Sequence, residues 1–196
     1  IPLASFFLLK GKCRHCAARI PWRYPIVEFL TAAVFAGAVA GFGPTLYALK
    51  YAMLGAILIT LVFSDLETRI LPDEFTLGGA VAGVVFSWFV PLNAGLAHFI
   101  VSNPDNRRAL SLVESLLGAL ICGGVLWATA EFYYRVRNRE GLGIGDMKMI
   151  AMIGAFLGLQ GALLTLIVGS ILGAIVGLVM IYSTGRDAST YELPSG

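Results

Sequence analysis

The sequence predicts an all-α fold, a polytopic integral membrane helix bundle with about six spans and a small cytoplasmic cysteine loop. Apolar types make up 58% of the 196 residues and charged types only 13%, whereas soluble domains carry roughly 25% charged residues. Apolar stretches of about 20 residues, the length that crosses a bilayer core, recur along the chain. Glycine is frequent, at 23 residues, as it is where membrane helices pack closely. This composition predicts a lipid environment and argues against a soluble enzyme, a disordered tail and a nucleic-acid-binding module.

The predicted elements begin after a polar segment, residues 1–24, that is expected to form the cysteine loop. A membrane core at 25–183 follows, and residues 184–196 are expected to form a cytoplasmic tail that leads to a further span. Inside the core, four spans are predicted at about 25–43, 45–63, 75–92 and 110–130.

The last apolar run, 150–183, is too long for one span. The stretch Gly158-Leu-Gln-Gly161 is expected to divide it into two helices joined by a tight turn. The first of these helices is long enough to cross the bilayer core only if it begins near Gly141 or Ile144. That start draws Asp146 into the inner end of the helix.

The basic residues are distributed unevenly between the two sides of the predicted bundle. One side holds 11 of the 14 lysines and arginines, and the positive-inside rule makes that side cytoplasmic. These residues are Lys10, Lys12, Arg14, Arg19, Arg23, Arg69, Arg135, Arg137, Arg139, Lys148 and Arg186.

Two aspartates stand at the cytoplasmic edge of the predicted membrane core. Asp65 follows the apolar run 54–63, and Asp146 ends a stretch with three glycines among residues 141–146. Two complete spans separate them, so both face the same side. Each could be a solvated or capping carboxylate at a helix end. The glycines favour a site instead, because they weaken the helix while allowing a substrate backbone to approach the carboxylate.

A pair of carboxyl groups at short range can share one proton, because both cannot ionise cheaply. One then acts as a general base on water while the other polarises a carbonyl group. That is the chemistry of aspartic proteases. The spacing of Asp65 and Asp146 along the chain cannot by itself bring the two side chains together.

The N-terminal segment contains a CxxC motif formed by Cys13 and Cys16. Three interpretations remain open at this point: half of a tetrathiolate zinc site, a redox pair, and coincidence. A structural zinc site takes four ligands, and only these two thiols lie nearby in the sequence. No thioredoxin-like pattern surrounds the motif, which disfavours the redox pair. Cys122 lies deep in a predicted span and is expected to be a buried thiol.

Two motifs resemble those of the type IV prepilin peptidases, a family of intramembrane aspartic proteases. Gly-Ile-Gly-Asp-Met-Lys at 143–148 resembles the family's GxGD-x-K motif, and the segment from Asp65 to Pro-Asp73 resembles its first aspartate motif. The loop from Lys10 to Glu28 is also similar to the bacterial family members. The resemblance implies that Asp65 and Asp146 are catalytic, with Asp73 at a helix start and in a supporting role. Gly143, Gly145 and Lys148 would support Asp146.

The resemblance also implies the cofactors and the place of action. Bacterial members remove the leader peptide of prepilins and pseudopilins, in type IV pilus assembly and type II secretion, at the cytoplasmic face of the inner membrane. They then methylate the new N-terminus from S-adenosylmethionine, and Glu28 is a candidate for that reaction or for pairing with a nearby arginine. Cys13 and Cys16 would bind structural zinc together with a second CxxC pair upstream. The chain is therefore expected to be part of a longer protein with a preceding span.

A cation-coupled membrane transporter is the alternative from another functional class, with the membrane-edge carboxylates as cation ligands. No internal duplication supports it, and most charged residues lie in predicted loops. For the peptidase, four glutamates on the basic cytoplasmic face are candidates for attracting a basic leader peptide: Glu67, Glu74, Glu131 and Glu140.

Overall fold

The computed structural model describes residues 5, 6, 8–16, 18–92, 95, 97, 106–138 and 143–184. Within them, the chain forms five long α-helices and no strand, which confirms the all-α prediction. The helices are α1 (Arg23–Phe42), α2 (Leu46–Thr68), α3 (Asp73–Phe89), α4 (Arg107–Arg137) and α5 (Ile144–Thr184). The predicted tail beyond Thr184 lies outside the described residues.

Four of these helices are long and apolar enough to cross a membrane, namely α1, α2, α4 and α5. The fifth, α3, has 17 residues and is about 26 Å long at 1.5 Å per residue, close to the thickness of a bilayer core. All five lie at the positions of predicted spans.

α2 continues to Thr68, beyond the end predicted at residue 63. The polar residues after the apolar run continue the helix. The Thr68 hydroxyl donates to the Ser64 carbonyl at 2.9 Å. Arg69, in the left-handed conformation at φ 53°, then ends the helix. Asp65 therefore lies within the last turn of α2 and not after it.

α5 begins at Ile144, one of the two starts that the sequence predicts. Gly158 has non-helical dihedral angles, φ 73° and ψ −179°, and divides the helix at the predicted place. The left-handed φ explains the glycine, since a side chain is strained in that conformation. The first half of α5 is the buried half: Met152, Ala155 and Phe156 are fully buried.

The core packs α4 and α3 against this first half of α5. Leu61 of α2 and Cys122 of α4 join Met152 and Phe156 in one apolar cluster. Cys122 is 1% exposed, which confirms the buried thiol. Because lipid is as apolar as these side chains, close packing has to hold the helices together.

The crossing of α4 and α5 is close because two glycines face each other there. A Cβ atom on Gly118 would collide with the Gly154 carbonyl oxygen, and one on Gly154 would collide with the Gly118 backbone. Near this contact, the buried Ser115 hydroxyl donates to the Ala155 carbonyl at 2.7 Å. The hydrogen bond and the backbone contact together fix the position of α5.

At the other end of the bundle, α4 holds the segment that leaves α3. The Ser111 hydroxyl donates to the Ser87 carbonyl at 2.6 Å and accepts from the Leu92 amide at 2.9 Å. The buried Glu114 carboxylate accepts from the Gly95 and Ala97 amides at 3.2 and 3.1 Å. These bonds satisfy the amides of Leu92, Gly95 and Ala97, as burial requires.

The cysteine loop forms a short turn before α1. The Cys13 amide donates to the Ala18 carbonyl at 2.9 Å, and the Ile20 amide donates to the Gly11 carbonyl at 2.8 Å. Phe6 and Trp22 pack edge to face, with ring centroids 5.1 Å apart. The loop is thus closed by backbone hydrogen bonds and lies directly before the first span.

Candidate active site

A cavity of about 440 Å³ lies where α2 ends and where α3 and α5 begin. Both predicted catalytic aspartates, Asp65 and Asp146, line this cavity. The structure therefore places both aspartates in the lining of one cavity, which their spacing along the chain could not show. The other residues of its lining are Arg69, Ile70, Leu71, Asp73, Gly143, Ile144, Gly145 and Lys148.

The end of α2 fixes the position of Asp65. Its backbone carbonyl accepts the Arg69 amide at 2.9 Å, so the residue stays within the hydrogen-bonded helix. The Ser64 hydroxyl donates to the Ile70 carbonyl at 2.9 Å and folds the following segment back onto the helix end. The Asp65 side chain is exposed at the cavity, where it can meet a substrate.

The start of α5 fixes the position of Asp146, which lies in the first turn of that helix. Its amide donates to the Gly143 carbonyl at 3.2 Å. A Cβ atom on Gly143 would lie 3.5 Å from Asp146 Oδ2, so the carboxylate sits beside the Gly143 backbone. A Cβ atom on Gly145 would lie only 2.8 Å from Leu71 Cδ1. Gly145 thus permits the segment after α2 to pack against the first turn of α5.

An ion pair joins α5 to α3 at the same cavity. Lys148 Nζ lies 2.6 Å from Asp73 Oδ1, and the Lys148 side chain is 30% exposed. Asp73 is the first residue of α3, after Pro72 at the N-cap, as predicted. Sequence reasoning placed Lys148 beside Asp146 and missed this partner. The only signal was that both residues were expected at cytoplasmic helix starts.

The two aspartates experience opposite helix-end fields. Asp146 lies at the N-terminus of α5, where the partial positive charge of the helix stabilises a negative side chain. Asp65 lies at the C-terminus of α2, where the partial negative charge disfavours one. Each effect is worth about 0.3–1 kcal/mol at an exposed site. The two aspartates therefore lie at helix ends of opposite polarity.

The thiols of Cys13 and Cys16 lie in the turn before α1, away from the residues that line the aspartate cavity. The amides of Cys16 and His15 donate to the Cys13 sulfur and lower the pKa of that thiol below its usual value. The thiolate is the form that binds metals. Among the described residues, no group of three or more histidine, cysteine or acidic side chains could hold a metal ion.

Glu28 was expected to serve methylation or to pair with a nearby arginine. Arg23, five residues before Glu28, forms its ion pair with Glu67 near the end of α2. Within the described part of the chain, Glu28 forms no hydrogen bond or ion pair. Glu131 pairs with Arg135 on its own helix at 2.8 Å. Glu74 is exposed, and Glu140 lies outside the described residues.

Two family models match the chain. The model of the type IV leader peptidase family matches residues 52–178, which include both aspartates and the whole cavity lining. The model of the bacterial peptidase A24 N-terminal domain matches residues 1–42, which include both cysteines of the turn.

Curated relatives carry the name prepilin leader peptidase/N-methyltransferase. The protein of Neisseria gonorrhoeae is 33% identical over 95% of this chain and 59% of its own length. That of Myxococcus xanthus is 33% identical over 100% of this chain and 55% of its own length. That of Aeromonas hydrophila is 34% identical over 92% of this chain and 57% of its own length. The chain thus spans somewhat more than half the length of these relatives. No solved structure matches it.

Proposed function

The chain belongs to the type IV leader peptidase family, and from that membership we propose that it is an intramembrane aspartic endopeptidase. Its substrates are type IV prepilins and pseudopilins, from which it removes the leader peptide. The single observation that carries this proposal is the cavity that Asp65 and Asp146 line together. The names of the curated relatives support the substrate class, and none of them supports the alternative of a cation transporter.

The reaction needs one water molecule and the two carboxyl groups. Asp146, as the carboxylate, removes a proton from the water, and the water oxygen attacks the carbonyl carbon of the scissile bond. Asp65, as the acid, donates its proton to the carbonyl oxygen, where negative charge develops. When the intermediate collapses, the carbon–nitrogen bond breaks and the leaving amine takes the proton held by Asp146. A hydroxyl group of the intermediate returns a proton to Asp65.

This assignment of acid and base follows the helix ends on which the two residues lie. Asp146 lies in the first turn of α5, at the positive end of that helix, and Asp65 lies in the last turn of α2, at the negative end of that helix. Gly143 lets a peptide backbone approach the Asp146 carboxylate, and Gly145 lets Leu71 pack against the first turn of α5. Asp73 and Lys148 are positioning residues, because their ion pair fixes the start of α5 against α3.

The second proposed activity is N-methylation of the amine that cleavage releases. The relatives' names include N-methyltransferase, and S-adenosylmethionine supplies the methyl group for such a reaction. Structural zinc belongs to the same proposal. Cys13 and Cys16 would supply two of its four ligands, the others lying outside the described residues, and the N–H groups directed at the Cys13 sulfur favour the metal-binding thiolate.

The proposed location is the bacterial inner membrane, with the aspartate cavity facing the cytoplasm. The excess of basic residues on the side of Asp65 and Asp146 supports this orientation. About six spans remain the expected number for residues 25–183, with residues 1–24 as the cytoplasmic loop and 184–196 as the tail. Lipid surrounds the helices, whose outward faces carry many exposed apolar side chains.

Cleavage of a purified prepilin in detergent, followed by mass spectrometry of the product, tests the peptidase. We expect Asp65→Asn and Asp146→Asn each to lower the cleavage rate by about 10³-fold or more, since each removes one member of the proton-transferring pair. Asp105→Asn makes the same chemical change just before α4 and is expected to cleave at the wild-type rate.

Folding of each variant is checked by its melting temperature and its elution in size exclusion. Near-normal cleavage by either folded active-site variant would refute the peptidase mechanism. If Asp105→Asn also lost activity, the losses in the active-site variants could not be assigned to the aspartate pair.

A further inference from the structure

A cavity of about 400 Å³ lies at the end of the bundle opposite the aspartates. It forms where α1 ends and α2 begins, just after α3, and beside the division of α5 at Gly158. The ends of membrane-spanning helices lie at the level of the lipid headgroups. The lining of this cavity consists of Phe42, Tyr47, Tyr51, Pro91, Leu92, Glu114, Leu157, Gln160 and Gly161.

The charge in this lining comes from Glu114, which is 1% exposed. Its Oε2 accepts from the Gly95 and Ala97 amides, whereas its Oε1 is buried and has no hydrogen-bond partner among the described residues. A carboxylate oxygen only accepts hydrogen bonds, so the missing partner is a donor. A donor that is itself positively charged compensates a buried carboxylate best, because an unpaired buried charge is costly.

The Gln160 amide group converges on the same region as the free carboxylate oxygen. A Cβ atom on Gly95 would lie 3.0 Å from Gln160 Nε2 and 3.1 Å from Glu114 Oε1. Gln160 nevertheless makes no hydrogen bond to that oxygen. Its amide group and Glu114 Oε1 are therefore both available to a ligand in the cavity.

Aromatic rings form the wall of the cavity on the side of α1 and α2. The Phe42 and Tyr51 rings stack with centroids 4.9 Å apart, and Tyr47 lies one turn before Tyr51 on α2. Aromatic faces attract organic cations, and Leu92 and Leu157 add apolar surface. An inorganic cation would instead need several oxygen ligands. This lining therefore suits an ammonium group on a carbon chain.

Lys50 adds a positive charge beside the same cavity. It is fully buried, and its Nζ lies 6.0 Å from the centroid of the Tyr51 ring. This Nζ has no hydrogen-bond partner among the described residues. Coulomb forces act over such distances in a medium of low dielectric constant. A ligand with a positive charge alone is repelled by Lys50, whereas one that also carries a phosphate group is attracted by both buried charges.

We propose that this cavity binds the headgroup of an ethanolamine phospholipid. Its ammonium group donates to Glu114 Oε1 and faces the Tyr47 and Tyr51 rings, and its phosphate group is attracted by Lys50. The acyl chains leave the cavity past Phe42 and Tyr47, which are 48% and 41% exposed. The bound lipid joins α1 and α2 to α4 and α5. The site needs the protein to lie in a membrane but takes no part in cleavage.

Native mass spectrometry of the purified, delipidated protein measures the affinity for lipids of defined headgroup. Phosphatidylethanolamine carries an ammonium and a phosphate group, and phosphatidylglycerol carries the phosphate alone. We expect the wild type to bind the first about tenfold more tightly than the second, because only the ammonium group pairs with Glu114. Glu114→Gln should lower the affinity for phosphatidylethanolamine to that for phosphatidylglycerol, while its amide oxygen still accepts from the Gly95 and Ala97 amides. Lys50→Met should weaken both lipids alike, and Glu131→Gln, the same change as Glu114→Gln but at an ion-paired glutamate on α4, should weaken neither.

Equal affinity of the wild type for the two lipids would overturn the proposal, as would an unchanged preference in folded Glu114→Gln. If Glu114→Gln does not fold, Tyr47→Leu decides. It removes an aromatic face and is expected to weaken phosphatidylethanolamine about threefold and to leave phosphatidylglycerol unchanged, so an unchanged affinity for both would overturn the proposal. Unchanged binding in Lys50→Met would overturn the role of Lys50.

Competition experiments distinguish the lipid from smaller cations. Displacement of phosphatidylethanolamine by an equal concentration of free ethanolamine would overturn the lipid in favour of a soluble amine. Displacement by an equal concentration of sodium ions would overturn it in favour of an inorganic cation. We expect neither, because the acyl chains add to the affinity of the lipid. The assay contains no prepilin, so its failure would leave the proposed peptidase unaffected.

Discussion

Lys148 and Asp73, which lie 2.6 Å apart, show what single residues add to the aspartate cavity. Their position at the membrane edge made Asp65 and Asp146 candidates, because carboxylates there are unusual, and the family resemblance implied their catalytic role. Residue types and motif spacing could not predict the partner of Lys148, since an ion pair between α3 and α5 depends on how those helices pack. The same reason explains why Arg23 pairs with Glu67 and not with Glu28, its nearer neighbour in sequence.

A substitution at Lys148 tests its positioning role. We expect Lys148→Met to lower kcat for prepilin cleavage about tenfold, because the start of α5 and with it Asp146 would be held less firmly. The stability change should stay below about 1 kcal/mol, as for other partly exposed ion pairs. Lys148→Arg should restore most of the rate, since it can pair with Asp73.

Cleavage kinetics and thermal melts of the three proteins check this prediction. If Lys148→Met had the same kcat as the wild type, Lys148 would have no positioning role in the active site. If Lys148→Arg cleaved as slowly as Lys148→Met, the ion pair with Asp73 would not be the reason for the lower cleavage rate.

At the scale of the helices, apolar length and glycine positions predicted all five elements and the division at Gly158. The helix α2 itself continues to Thr68, beyond the span predicted at about 45–63. Hydroxyl and amide hydrogen bonds around Ser64, Thr68 and Arg69 continue it through Asp65. The crossing of α4 and α5 could not be predicted either, because a high glycine content does not identify which glycines face each other.

The contact between Gly118 and Gly154 gives a prediction for the helix crossing. We expect Gly118→Ala to destabilise the protein by about 1–3 kcal/mol, because the added methyl group collides with backbone of α5 that cannot move aside. Gly124→Ala is the matched control on the same helix, with open space around its Cβ position. That change should be neutral or stabilising by up to about 1 kcal/mol.

Thermal unfolding in detergent compares the two variants. The crossing would have to be looser than described if Gly118→Ala melted at the same temperature as Gly124→Ala. Loss of cleavage in a Gly118→Ala variant of unchanged stability would point to a displacement of α5 and of Asp146 with it.

At the scale of the whole molecule, the distribution of charge predicted which ends of the helices lie together. An even number of helices, α3 and α4, separates the end of α2 from the start of α5, so the two aspartates had to face one side. Their meeting in one cavity depends on lateral packing, which alternation along the chain does not determine. The opposite end of the bundle contains the connection held by Ser111 and Glu114.

Labelling with a membrane-impermeant maleimide tests the proposed orientation. Cys16 is exposed and Cys122 is buried, so in the native chain treated with a chelator to remove zinc we expect labelling of Cys16 in inverted vesicles and little in intact spheroplasts. Arg107→Cys in a background without Cys13 and Cys16 should give the reverse pattern, because α4 begins on the other side. Labelling of both positions from the same side would contradict the topology.

Cross-linking of a cysteine pair measures whether Asp65 and Asp146 share one cavity. In a chain with Cys13→Ser and Cys16→Ser, a short bifunctional thiol reagent is applied to Asp65→Cys/Asp146→Cys. Asp73→Cys/Lys148→Cys is the positive control, and Asp65→Cys/Arg107→Cys the negative one. The expected result is a cross-link at 65 and 146 in a yield close to that of the positive control. A yield no higher than that of the negative control, with the positive control cross-linked, would contradict the account.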